Sequence, residues 1–97
     1  MARGTATVDF GATPTDEKTF TITDAAMAGL TYIEPFFMGS DSVAGTFLSG
    51  NTADDHKMAA ALIPLSADAP IGNNFNVTAL VLRGKVTGSF KIRYVGA

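Results

Sequence analysis

The groups best suited to chemistry sit together at Asp54, Asp55 and His56, and His56 is the only histidine. A carboxylate beside an imidazole suits two tasks, ligation of a divalent ion and acid–base proton transfer. A zinc site needs about three or four ligands, and the chain offers no cysteine and no second histidine. The cluster therefore reads as a solvated polar turn. At an interface, His56 would add pH sensitivity, since free imidazole titrates near ~6.5. The other acidic residues of expected loops, Asp16, Glu17, Asp41 and Asp68, lack the alternating Asp/Asn spacing of a calcium loop. No Gly-x-Ser-x-Gly elbow, P-loop or Gly-x-Gly-x-x-Gly turn is present. Asn76-Val77-Thr78 matches a glycosylation sequon but falls inside an expected strand. No catalytic residue, metal ligand or cofactor is expected, and the chain is not expected to be an enzyme.

The elements that would carry these groups follow from alternation. Thr5 to Phe10 puts Ala6, Val8 and Phe10 on one face, and Lys18 to Thr23 does the same for Phe20 and Ile22. Between them, residues 11–17 have turn chemistry. Asp24 is placed to cap one helical turn through Gly29. Leu30 to Met38 is apolar on both faces, with Pro35 marking a sheet edge or a bulge. Residues 39–50 read as a loop or weak hairpin. Residues 51–65 are ambiguous: Asn51, Thr52, Asp54 and Asp55 are able to cap a helix through Leu62, yet the β context favours a capped turn at 52–56 and a strand from Met58 to Leu65. A loop follows to Asn74. Phe75–Leu82 and Val86–Val95 alternate around Arg83-Gly84-Lys85, which predicts a hairpin. The expectation is a single domain over residues 1–97, an antiparallel all-β sandwich of jelly-roll or immunoglobulin-like form with six to seven strands.

Composition bounds the role. Of 97 residues, 46% are hydrophobic and only 16% charged, against roughly 25% charged in an average soluble domain. Mean hydropathy is +0.22. A small domain with few charges leaves apolar surface outside, the usual mark of an interaction site. The net charge is −2 and the basic residues do not cluster, apart from Lys85, Lys91 and Arg93 near the end, so a nucleic-acid footprint is not expected. No apolar run reaches the ~18 residues of a membrane helix, and Met-Ala-Arg-Gly does not open a signal peptide, so folding in the cytoplasm is the default expectation. The aromatic run Tyr32, Phe36, Phe37 with Met38 divides between core and surface, because successive strand residues face opposite ways. Those four residues, with Leu80 and Leu82, are the candidate interface.

Three segments carry a family resemblance: residues 84–97 (GKVTGSFKIRYVGA), the start Ala6-Thr7-Val8-Asp9-Phe10-Gly11 leading to Phe20-Thr21-Ile22-Thr23-Asp24, and Asn51-Thr52-Ala53-Asp54-Asp55-His56. Together they resemble small β-sandwich structural proteins of tailed bacteriophages, including head-fibre, decoration and tail-associated proteins. The resemblance spans nearly the whole chain and rests on short, glycine-rich motifs. It implies a virion structural role, homo-oligomers, and contact with a major capsid protein or a tail or fibre component. It supplies no catalytic residues. The alternative is a receptor- or carbohydrate-binding module of a tail fibre, weakened by the absence of Trp and the presence of only two Tyr.

Overall fold

The computed structural model describes residues 2–38 and 53–97. Six strands run β1 (Ala2–Asp9), β2 (Glu17–Thr23), β3 (Ile33–Phe37), β4 (Leu65–Ala67), β5 (Asn74–Leu80) and β6 (Ser89–Gly96). One helix, α1 (Ala53–Leu62), precedes β4, and a short 3-10 turn occupies Ala25–Met27. Two antiparallel three-stranded sheets result, ordered β1-β6-β3 and β2-β5-β4. They form an all-β sandwich. The central strands β6 and β5 supply much of the packed interior, with Ile92 and Val77 fully buried. Each such side chain contributes about 1.5–3 kcal/mol. Edge-to-face aromatic contacts join the layers: Phe10 meets Phe20 at 5.1 Å and Phe90 at 5.6 Å, and Phe75 of one sheet meets Tyr94 of the other at 5.0 Å.

Two of the crossings between the sheets, β1 to β2 and β5 to β6, share one corner. β1 pairs with β6 and β2 with β5, so the two connections travel together. Phe10 donates to Gly88 O, Thr15 and Val86 exchange bonds, and Val81 donates to Asp16 O. Gly88 turns there at φ 82°, a left-handed conformation that favours glycine. The expected hairpin around Arg83-Gly84-Lys85 is therefore overturned, because β5 and β6 belong to different sheets. Those residues form an excursion within the corner, between Val81 bonded to residue 16 and Val86 bonded to residue 15. The hairpin lies instead at β4 and β5, which are sequential and paired antiparallel; β5 falls on the expected strand Phe75–Leu82, while most of β4 falls on the expected loop Ser66–Asn74.

The expected strand at Met58–Leu65 is also corrected. Most of it is α1, built from strong helix formers (Lys57, Met58, three alanines and Leu62) and halted before Pro64. Only Leu65 joins a strand. The expected strand over Leu30–Met38 is narrower, from Ile33, and Pro35 lies in an edge strand as its chemistry requires. Asp24 caps its short helical turn: its Oδ1 accepts from Ala26 N at 3.0 Å. The loop or hairpin read at 39–50 and the caps at Asn51 and Thr52 lie outside the described residues. No described helix is long and apolar enough to cross a membrane.

The two flanks of the sandwich differ. One contains β3 and β4, with α1 packed against β3. The other contains β1 and β2.

Candidate interaction surface

His56, the residue most suited to chemistry, is not in a solvated turn. It is 0% exposed. Its Nε2 accepts from Lys91 N at 2.7 Å, and its ring lies 4.9 Å from that of Phe90. An accepting Nε2 leaves the ring proton on Nδ1. The position has a structural cause. Met38 donates to Lys91 O, and β3 has ended at Phe37. His56 then takes the Lys91 amide that a longer β3 would have bonded, fastening α1 to β6 in place of a strand. Asp55 is exposed on the same helix. Among the described residues, no group of three His, Cys, Asp or Glu is arranged to hold a metal ion.

A second polar fastening lies on the other flank. Tyr94 of β6 donates its hydroxyl to Asp24 Oδ2 at 2.6 Å. Burial, followed by this hydrogen bond and the nearby carboxylate charge, pushes the Tyr94 hydroxyl well above its ordinary value of 10.0. Gly4 of β1 makes room for the pair, since a Cβ there would sit 2.6 Å from Tyr94 Oη and 2.7 Å from Asp24 Oδ2.

The six expected interface residues do not form one patch. Phe36 is 44% exposed on the outer face of β1-β6-β3, in a cross-strand row with Arg93 and Thr5. The Arg93 guanidinium carbon lies 5.9 Å from the Phe36 ring centroid, a cation–π arrangement. A depression of about 260 Å³ lies beside them, lined by Arg3, Thr5, Tyr94 and Val95 among others. Tyr32 is exposed just ahead of β3, and Met38 is partly buried just after it. Phe37 belongs to the core, edge-on to Phe90 at 5.5 Å, because its strand position faces inward. Leu80 and Leu82 are exposed at the far end of β5, in the other sheet.

Sequence reasoning missed two exposed apolar residues. Met58 lies on α1 and borders a cleft of about 280 Å³ between α1 and the corner, with Leu62, Val86 and Phe90 as apolar walls and Asp55, Arg83 and Lys85 as charged ones. Ile71 is 86% exposed in the β4–β5 turn. Its signal was present: an isoleucine between Pro70 and Gly72 has no strand or helix in which to hide.

The outer face of β2-β5-β4 is different again. Thr19 and Thr78 hydroxyls share a bond of 3.2 Å, Thr21 donates to Asn76 at 2.9 Å, and Thr23 donates to Asn74 at 2.7 Å. This is an uncharged ladder of hydroxyls and amides. Neither the family models nor the curated proteins nor the solved structures contain a match to this chain.

Proposed function

We propose that this chain is a non-catalytic structural subunit that works by packing against other protein chains. The observation that carries this reading is the set of large apolar side chains left exposed among the described residues: Tyr32, Phe36, Met58, Ile71, Leu80 and Leu82. They occupy both sheets, the helix and a turn, so they suit a subunit with several neighbours better than a one-sided binder. The sequence resemblance supplies a setting, a tailed-phage particle in which the subunit serves as a capsid decoration or fibre-type protein. Its partners would be further copies and a capsid, tail or fibre protein. Mass spectrometry of purified particles tests this: the chain is expected at a fixed ratio to the major capsid protein, and its absence from particles would overturn the particle setting.

A fibre-borne module for receptor glycans has one observation in its favour, the neutral Thr/Asn ladder on β2 and β5. Its groups already bond to one another, and among the described residues the exposed aromatic rings, Tyr32 and Phe36, lie away from it. Binding of the purified chain on a glycan array would promote this second reading over the first.

A further inference from the structure

We infer that the open edge of β1 is where the chain pairs with a second copy of itself. Sheet edges invite further strands unless something blocks them. The described strands leave four sheet edges, and three are blocked. β3 carries Pro35 at a position facing away from β6, so its outward ladder lacks a donor. β4 is only three residues long and follows Pro64. β2 carries Lys18 on its inward-facing set with Phe20 and Ile22, a charge that a neighbouring strand would have to bury. β1 runs eight residues with no proline and no lysine, in unbroken register with β6. Among the described residues, no other strand pairs with it.

The backbone fixes which groups β1 offers. Phe10 donates to Gly88 O in the same register that pairs Val8 with Phe90 and Ala6 with Ile92. Antiparallel bonding alternates along a strand. The even residues therefore bond to β6, and Arg3, Thr5, Thr7 and Asp9 turn their N–H and C=O groups outward. The side chains of these four are exposed on the outer face.

One antiparallel register makes this edge complementary to itself. With a two-fold axis at Ala6, Arg3 of each copy lies opposite Asp9 of the other, and Thr5 lies opposite Thr7. All four are outward-bonding positions. Charges match at both ends, and like charges meet nowhere on the edge. On the inner face, Gly4 lies opposite Val8 and Ala2 opposite Phe10, small against large. Asp9 is already held at the strand end, where its Oδ1 accepts from Gly11 N at 2.8 Å. Shifting the axis by one residue loses both Arg–Asp pairs. The product is a continuous six-stranded sheet with the β1 strands at its centre. The inference rests on the assembly reading only for what the pairing serves.

The test is a charge swap on the purified chain, read by sedimentation equilibrium and native mass spectrometry. The wild type is expected to be dimeric. Arg3→Asp and Asp9→Arg are each expected to weaken self-association by at least about tenfold, because each places like charges opposite one another twice. Mixing the two variants is expected to restore dimers that contain one of each, and this rescue also shows that both variants fold. Thr7→Pro, which removes an outward donor and no bond to β6, is expected to give monomers. A monomeric wild type, or single variants that fail to rescue each other, would overturn the proposal. The result is independent of whether the chain is found on particles, so the two ideas can fail separately.

Discussion

On the flank of β3 and β4, α1 packs against β3, and prolines interrupt both strands or their approaches. On the flank of β1 and β2, no described element pairs with β1 on its outer side. Each flank is nonetheless fastened inward by a partly buried polar contact: His56 to the Lys91 amide on the first, Tyr94 to Asp24 on the second. The comparison separates two jobs that edge strands usually combine. Holding the layers together is done by side chains in the interior, and among the described residues no strand takes up the outer edge of β1.

The comparison breaks most severely at His56. His56→Ala leaves the Lys91 N–H without its acceptor and opens a cavity beside Phe90, at an expected cost of about 2–4 kcal/mol in urea-induced unfolding. A loss well under 1 kcal/mol would mean that α1 is a passive addition rather than part of the closure. Gly4→Ala tests the other flank. Its new methyl group meets Tyr94 and Asp24 at sub-contact distance, so a loss of about 2 kcal/mol is expected by the same measurement. Tyr94→Phe removes the bond without adding bulk and should cost about 1–2 kcal/mol.

That last variant also carries a pH signature. The Tyr94 proton is held more tightly in the folded chain than in the unfolded one, so the tyrosine's contribution is complete below pH 10. It is lost as pH rises past that value, because the unfolded chain then releases a proton that the folded chain keeps. The stability advantage of wild type over Tyr94→Phe is therefore expected to be flat from pH 7 to 9 and to shrink above 10. An advantage that grows with pH would contradict the assigned hydrogen bond. The smallest effect belongs to Pro35→Val, which returns an outward donor to β3. Stability should change by within about 0.5 kcal/mol, and new association through β3, detected by light scattering, would show how much that proline matters.

Much of this fold was legible. β1, β2, β5 and β6 alternate cleanly because each has one face on the core and one toward solvent. The edge role of Pro35 and the Asp24 cap followed from backbone chemistry alone. The helix was only half legible: propensity leaned toward it, but the β context was allowed to override it, for a physical reason. Its described buried residues are His56 and Ala59, with Ile63 just beyond its end, while Met58 faces solvent. An imidazole and a methyl group do not register as an apolar stripe. The sheet change between β5 and β6 was hidden because alternation reports which way a side chain faces and not which sheet receives it. The candidate surface was half legible. Tyr32, Phe36, Leu80 and Leu82 are exposed, but the alternation that put Phe36 outside necessarily put Phe37 inside.

The pairing of β1 with β6 also governs the order in which the molecule can be made. Asp9 pairs with Ser89, and Ala2 with Gly96. A nascent chain therefore makes β1 long before β6, the central strand of that sheet. Closing this sheet is a long-range pairing event, which slows folding and leaves the incomplete sheet exposed to aggregation.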